Sequence, residues 1–325
     1  DMDTVSYYVI VASAGHDTTK DAISGGLHAL IDNPDQLDRV RGDMSLDEAD
    51  VVLRGTASAD SAGLGAAGVG DVNGDGFDDV IVSGVNWDAP GINNSGGFTI
   101  LHGRAPSNNG RTQIICDVQP TMYGISANSR IGHSLGKLGD LNRDGCDEFV
   151  VGSREEDNGS TNQGTIRVVF GAGINCDYLT PQLLTLESRS RFAKAGTSLS
   201  GGLDIDSDGL PDLAVGGNEY RLNGNVVGAV WIILGSYLQT LTPEPIENAS
   251  TATFYGFSDP SNQLVLSLPG ATGSGNFGTG VTFVPNFDGH GRVGLAVGVD
   301  VGVAVGADVG MDDGTGEGAP VGAKL

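Results

Sequence analysis

The sequence is poor in cysteine, in basic residues and in long apolar runs, and each shortage excludes a class of protein. Three cysteines in 325 residues, Cys116, Cys146 and Cys176, are too few for a disulfide scaffold, and their pairing stays open. Lysine and arginine total 17 against 41 aspartate and glutamate, so the formal net charge is -24 and the surface repels nucleic acid. No apolar run approaches the roughly 20 residues of a membrane-spanning helix. We therefore expect no nucleic-acid partner and no membrane span.

Aromatic residues are also scarce, at 6% of the chain, whereas glycine is abundant, at 53 residues. Glycine destabilises helix interiors and permits tight turns, so this balance favours many short strands over a helical bundle. The composition predicts an all-β fold.

Four copies of one sequence pattern organise residues 51–310. The clearest three are GLGAAGVGDVNGDGFDDVIVSG (63–84), GHSLGKLGDLNRDGCDEFVVGS (132–153) and GTSLSGGLDIDSDGLPDLAVGG (196–217), and the fourth is the divergent GTGVTFVPNFDGHGRVGLAVGV (278–299). Repetition at this spacing is typical of stacked supersecondary units. We predict units at about 51–115, 116–180, 181–245 and 246–310, followed by a glycine- and acid-rich tail at 311–325. A short apolar run without alternation follows each loop and predicts an inner strand buried on both faces.

The loops of the first three copies carry oxygen-bearing residues at regular positions. Oxygen ligands at positions 1, 3 and 5, a position-7 carbonyl and a position-9 acid suit a hard cation, and the glycine at position 6 permits the sharp turn. The predicted ligands of about three calcium (Ca²⁺) sites are Asp71, Asn73, Asp75, Phe77 and Asp79; Asp140, Asn142, Asp144, Cys146 and Glu148; and Asp204, Asp206, Asp208, Leu210 and Asp212.

Two alternatives bear on these loops. An EF-hand needs a bidentate acid at position 12, where this chain has Val82, Val151 and Val215, so that motif is excluded. Turns rich in aspartate and asparagine also form without a metal, and this alternative stays open. The fourth loop has Asn286, Asp288 and His290, and we expect it to bind calcium weakly or not at all.

The repeated DxNxDGxxD loops resemble those of FG-GAP repeats, the blades of the integrin α-subunit head and of many bacterial surface proteins. The resemblance covers residues 51 to about 310. It implies four-stranded blades around a central axis, calcium in loops on one face and partner binding on the opposite face. We therefore expect a β-propeller, or a partial one, of about four blades.

The first 50 residues follow a different pattern and predict a short helical segment. Residues 5–46 resemble the distal oxygen-binding helix region of the cytochrome P-450 monooxygenases, because Ala14, Gly15 and Asp17 to Thr19 match the AGxDTT pattern of that family. The proximal cysteine loop and the Glu-x-x-Arg motif of the family are missing from the sequence, so we expect a fragment without haem.

The sequence thus predicts a calcium-binding propeller module for extracellular or cell-surface adhesion, with no catalysis of its own. Its partner would be a protein or glycan bound on the face opposite the calcium loops. The alternatives are an accessory propeller of a larger secreted enzyme and a non-functional fusion that carries a monooxygenase remnant. A longer reading frame separates the first two, and a Soret absorbance is required for the third.

Overall fold

The structure, a computed structural model, describes residues 51–53, 60–103, 113–115, 120–156, 162–246, 253–257, 265–270, 276–286, 292–299 and 302–308. These residues form 21 strands and one short helix, which confirms the predicted all-β class. The helical segment and the cytochrome-like stretch predicted within residues 1–50 lie outside the described residues, as do the tail at 311–325 and Cys116.

Strands β1 (Val51–Leu53) and β5 (Gln113–Ile115) form a short parallel pair that is separate from the first sheet. Its four antiparallel strands are β2 (Ala62–Gly70), β3 (Asp79–Gly84), β4 (Gly97–Leu101) and β6 (Met122–Tyr123), hydrogen-bonded in that order.

The second sheet repeats this order with β7 (Ser134–Gly139), β8 (Glu148–Ser153), β9 (Thr165–Phe170) and β10 (Gln182–Glu187). Two short strands from further along the chain extend it beyond β10: β16 (Glu244–Pro245) pairs antiparallel, and β17 (Phe254–Gly256) pairs parallel.

The third sheet contains β11 (Ala195–Leu203), β12 (Asp212–Gly217), β15 (Ala229–Ile233) and β18 (Val265–Pro269). A small hairpin, β13 (Arg221–Leu222) and β14 (Asn225–Val226), precedes β15, and helix α1 (Gly235–Leu238) follows it. The fourth sheet has β19 (Val281–Val284), β20 (Gly294–Val299) and β21 (Gly302–Asp308).

Successive sheets pack side by side through their first strands, with β2 beside β7, β7 beside β11 and β11 beside β19. Four twisted antiparallel sheets whose first strands are neighbours have the arrangement of propeller blades. This arrangement confirms the prediction of a partial propeller, whereas the four unit boundaries stay predictions.

The apolar core lies between neighbouring sheets, so the inner strands bury both faces. Phe149 and Val151 of β8 pack toward the first sheet, where Phe149 contacts Phe98 edge to face, with ring centroids 5.7 Å apart. Val150, between them, packs with Val215 and Trp231 of the third sheet. Alternate residues point to opposite faces of a strand, so a strand between two neighbours needs apolar residues throughout. The burial of β8 and β12 confirms the predicted inner strands.

Candidate metal centres

The three predicted loops occupy equivalent places in the fold. Each joins the first and second strands of a sheet, between β2 and β3, β7 and β8, or β11 and β12. The register shifts by one residue just before each loop, at Gly68/Gly70, Lys137/Gly139 and Gly201/Leu203. Such a bulge increases the local twist and redirects the chain. Because the first strands are neighbours, the loops follow one another along the same end of the sheets.

One set of hydrogen bonds recurs in all three loops. In the third loop, the position-1 carboxylate accepts the N–H of Asp208 at 3.2 Å through Oδ1 and that of Gly209 at 2.7 Å through Oδ2. The Oδ1 of Asp206 also accepts the N–H of Asp208, and the Oδ1 of Asp208 accepts that of Leu210 at 2.8 Å. The same four bonds are present in the first loop and in the second. The loop backbone therefore holds the side-chain oxygens of positions 1, 3 and 5 close together.

The turn depends on two left-handed residues in each loop. Position 6 is glycine throughout, with φ of 90°, 89° and 83° at Gly76, Gly145 and Gly209. Position 4 is also left-handed, with φ of 62° at Arg143 and 63° at Ser207. A side chain in this region is strained, and the repeated backbone hydrogen bonds offset that strain.

The third loop has a carboxylate at each of positions 1, 3 and 5. Carboxylate oxygens of Asp204, Asp206 and Asp208 lie within 4.8 Å of one another. Burial, together with the charges of Asp208 and Asp204, raises the pKa of Asp206. In the first two loops, position 3 is an asparagine whose amide donates to the position-5 carboxylate, from Asn73 to Asp75 and from Asn142 to Asp144, both at 3.0 Å. All three loops therefore gather the oxygen donors that calcium prefers.

The position-9 acids lie beneath the loops and are fully buried. Asp79 accepts the N–H of Val72 at 2.9 Å and that of Gly103 at 2.7 Å, and Asp212 accepts those of Ile205 and Gly235, each at 2.7 Å. Burial raises the pKa of Asp79 and raises that of Asp212 to about 7. These carboxylates connect each loop to the end of the third strand of its sheet.

Glu148 provides the test of whether a cation fits. It is fully buried, and burial raises its pKa to about 8, with Asp144 and Asp140 contributing through their negative charge. Its Oε2 accepts the N–H of Leu141 at 2.5 Å. Oε1 makes no hydrogen bond of good geometry among the described residues, although the nearby N–H of Gly171 also lowers the pKa. A buried carboxylate oxygen without a well-aligned hydrogen bond is costly, and a cation bound by positions 1, 3 and 5 would stabilise its charge. The second loop therefore fits a divalent cation.

The remaining predicted ligands are placed less uniformly. At position 7 the side chain of Phe77 is exposed, whereas those of Leu210 and Cys146 are buried. The backbone carbonyl of this position stays a predicted ligand. Asp288 and His290 of the fourth loop lie outside the described residues.

A disulfide between Cys146 and Cys176 answers the question that the sequence left open about their pairing. It attaches position 7 of the second loop to the segment that follows β9. Within that segment, the N–H of Asp177 donates to Asp144 Oδ2 at 2.7 Å, and Asn175 Nδ2 donates to the carbonyl of Gly74 at 2.9 Å. The sequence did not place Asn175, Cys176 or Asp177 at the loops, because no local pattern links the segment after β9 to them.

Comparisons with known proteins agree with this geometry. The family model described as FG-GAP repeat matches residues 132–169 and 195–233, which include the second and third loops. The first loop lies outside both matches and yet has the same hydrogen bonds. The chain therefore carries FG-GAP repeats.

The curated relatives are integrin alpha chains. Integrin alpha pat-2 of Caenorhabditis briggsae is 31% identical over 165 residues, which is 47% of this chain and 13% of that protein. Integrin alpha-7 of Rattus norvegicus is 33% identical over 168 residues, or 51% of this chain and 14% of that protein. Integrin alpha-IIb of Homo sapiens is 28% identical over 204 residues, or 61% of this chain and 18% of that protein. The chain thus spans less than a fifth of each relative, and the comparisons do not support the cytochrome resemblance of residues 5–46.

Proposed function

We propose that this chain, whose FG-GAP repeats form an integrin-alpha-like partial propeller, is a calcium-binding module that attaches to a protein partner outside the cell and catalyses no reaction. The observation that carries the proposal is the convergence of side-chain oxygens in the loops: the carboxylate oxygens of Asp204, Asp206 and Asp208 lie within 4.8 Å of one another, and the second loop lies above the buried carboxylate of Glu148. About three calcium ions, one in each of the first three loops, would be bound.

The residues that would hold each ion are those at positions 1, 3, 5 and 9, with the position-7 carbonyl. Calcium would supply the positive charge that keeps the clustered carboxylates ionised and close together. The chain itself orients these groups, because the backbone N–H groups of positions 5, 6 and 7 already fix the side chains of positions 1, 3 and 5. Little rearrangement is then needed on binding.

An extracellular or cell-surface location is supported by two observations. Disulfides such as Cys146–Cys176 persist in oxidising compartments and are rare in the cytosol. The relatives are integrin alpha chains, which supports an adhesion-related role. Among the described residues, no helix is long and apolar enough to cross a membrane.

The partner would bind on the end of the sheets opposite the calcium loops, as the FG-GAP resemblance implies. A protein partner is favoured by the integrin relatives, whereas a glycan partner stays a prediction from the sequence. Two alternatives differ from this proposal. A propeller that accompanies an enzyme requires a catalytic domain elsewhere, and a non-functional fusion requires no calcium uptake.

Calorimetric titration of calcium into chelator-treated protein tests the proposal. We expect about three sites in the parent, and one fewer in each of Asp75→Ala, Asp144→Ala and Asp208→Ala. The control is Asp78→Ala, which removes an exposed acid at position 8 of the first loop and should leave the number of sites unchanged. No calcium uptake by the parent, or equal uptake by the triple variant, would mean that the loops are aspartate-rich turns without a metal.

A further inference from the structure

The connections between strands place a second group of residues at the end of the third sheet opposite its calcium loop. In the β11–β12 ladder, Leu203 pairs with Asp212 beside the loop, and Ala195 pairs with Gly217 at the other end. Residues 188–194, which lead into β11, and residues 218–228, which leave β12, therefore meet at that far end.

Two arginines there share one aromatic ring. The Cζ of Arg191 lies 5.5 Å from the ring centroid of Phe192, and that of Arg221 lies 5.3 Å from it. Both arginines are exposed, and neither forms an ion pair among the described residues. We call Arg191, Phe192 and Arg221 the arginine patch.

The backbone beneath the patch is strained. Phe192 has a φ of 60° and Lys194 a φ of 49°, a region that side chains with a Cβ rarely adopt. Strain of this kind is costly and concentrates at binding sites. In the patch, this backbone places the ring of Phe192 within contact distance of both guanidinium groups.

Two acids close to the patch in sequence have other partners. Glu219 forms an ion pair with Lys194 at 2.7 Å, and Glu187 lies 3.8 Å from Arg189. The two patch arginines are thus positive charges at one end of a protein whose formal net charge is -24. An extended polyanion would be repelled by that net charge, whereas a short acidic segment would contact the patch alone.

We propose that the arginine patch binds a short acidic peptide segment of the protein partner. Guanidinium groups bind carboxylates through paired hydrogen bonds, and the ring of Phe192 holds both groups in place by cation–π contact. This proposal rests on the proposed function, because it supplies the chemistry of the partner-binding end.

The probe is a fluorescein-labelled peptide of alternating glutamate and glycine, and its binding to the calcium-loaded protein is measured by fluorescence anisotropy. We expect saturable binding that weakens as salt is raised, and at least a tenfold loss of affinity in the Arg191→Gln Arg221→Gln double variant. The control is Arg292→Gln, an exposed arginine at the calcium end, which should bind as the parent does. A peptide with glutamine in place of glutamate should not bind.

Three results would overturn the proposal: no binding of the acidic peptide at millimolar concentration, equal binding by the double variant, or binding of heparin in preference to the peptide. Calcium titration of the same samples separates this failure from failure of the proposed function. A parent that takes up calcium and does not bind the peptide contradicts the arginine patch alone.

A second inference has independent support in the contacts between the first and second loops. The N–H of Asp147 donates to the carbonyl of Asp71 at 2.8 Å, and the N–H of Asp71 donates to Asp147 Oδ2 at 3.1 Å. Lys137 also holds Asp147 through a 2.8 Å ion pair. The two loops are therefore joined directly by their backbones.

The segment 172–177 joins the same two loops a second time. The N–H of Ala172 donates to the carbonyl of Val72 at 2.8 Å, and Asn175 donates to the carbonyl of Gly74 at 2.9 Å. The other end of the segment is fixed to the second loop by the Cys146–Cys176 disulfide and by the N–H of Asp177. Among the described residues, the second and third loops share one hydrogen bond, from Arg143 Nη2 to the carbonyl of Gly209 at 3.0 Å.

We infer that the segment 172–177 positions the first and second loops as one calcium-binding unit. Breaking the Cys146–Cys176 disulfide should then weaken calcium binding at both loops and leave the third unchanged. Since the inference rests on the proposed function, calorimetry is performed in an Asp208→Ala background, which leaves the first two sites. We expect Cys176→Ser to lower calcium affinity at both by at least tenfold, and Asn175→Ala, which retains the disulfide, to weaken the first site more than the second.

A separate readout is the protection of the loops from protease by calcium, which should be lost at the first two loops of Cys176→Ser and kept at the third. The matched control is Cys116→Ser, which retains the bridge and should behave as the parent does. Calcium uptake by the parent with unchanged affinity in Cys176→Ser would overturn this inference while leaving the proposed function intact. No uptake by the parent would overturn the proposed function itself.

Discussion

A buried ion pair in the second sheet allows a stability prediction that does not depend on metal. Arg167 of β9 and Glu156 both have fully buried side chains, and they are joined at 2.6 Å from Nη1 to Oε2 and at 2.8 Å from Nη2 to Oε1. Thr165 also donates to the same carboxylate. Burial alone would raise the pKa of Glu156, but the charge of Arg167 and the hydrogen bonds outweigh it and lower the pKa.

The perturbation is Glu156→Gln, which keeps the shape of the side chain and removes its charge. The guanidinium of Arg167 would then be a buried charge without a counter-ion, and removing one partner of such a pair costs about 3–5 kcal/mol of unfolding free energy. For a domain of this size, that loss corresponds to a fall in melting temperature of roughly 6–20 °C.

The control is the neighbouring acid. Glu155 is 20% exposed and lies 3.4 Å from Arg154 and 3.3 Å from Arg130, both of which are more exposed than Glu155. Because its charges remain in contact with solvent, Glu155→Gln should lower the melting temperature clearly less than Glu156→Gln does. The apolar double variant Glu156→Leu Arg167→Met should recover most of the stability that Glu156→Gln loses, because both charges are then removed.

Denaturant unfolding in the presence of chelator, monitored by circular dichroism, gives the free energies. Equal effects of Glu156→Gln and Glu155→Gln would refute the reasoning, because they would mean that burial does not control the cost. A double variant that is less stable than Glu156→Gln would also refute it.

The remaining predictions concern metal, pH, redox state and length. Saturating calcium at a hundredfold excess over Kd should stabilise the fold by about 2.7 kcal/mol per site, so chelation should lower the melting temperature, and an unchanged value would contradict the calcium sites. Burial and the charge of Arg154 lower the pKa of His133 to about 4. Between about pH 6.5 and pH 4, the unfolded chain therefore binds a proton that the folded chain does not, so stability should fall as the pH is lowered, and should fall less in His133→Gln. The Cys146–Cys176 bridge closes a loop across a separation of 30 residues. By the chain-entropy relation, its loss in Cys176→Ser should lower the unfolding free energy by about 3–4 kcal/mol, and an unfolding free energy equal to that of the parent would contradict this. Deletion of residues 1–46 should leave the β-sheet circular dichroism and the calcium response intact, and loss of both would mean that this segment covers a blade.

The inner strands and the loops were predictable because their signals are local and repeated. Each loop turn needs a glycine at position 6 and oxygen-bearing side chains at fixed positions, and each inner strand such as β8 needs apolar residues on both faces. Repetition reinforced each signal, so the fold and the grouping of Asp204, Asp206 and Asp208 could be inferred before the structure.

The contacts between distant segments were not predictable in the same way. The repeat pattern does not indicate that β16 and β17 extend the second sheet or that β18 completes the third. The choice of a strand partner depends on the geometry of the whole sheet and not on local composition. The Cys146–Cys176 bridge is equally non-local, because it requires β8 and β9 to pair before the two cysteines approach each other.

The pairing of β10 with two strands from a distant part of the chain has a consequence for self-association. Without these strands, β10 would expose unpaired backbone groups along an edge that is largely apolar from Leu183 to Leu186. Such an edge can recruit a strand of another molecule. β16 covers the first part of this edge in the antiparallel direction, and β17 covers the last part in the parallel direction. The segment between β15 and β18, which contributes β16 and β17, therefore protects the second sheet from edge-to-edge aggregation and domain swapping.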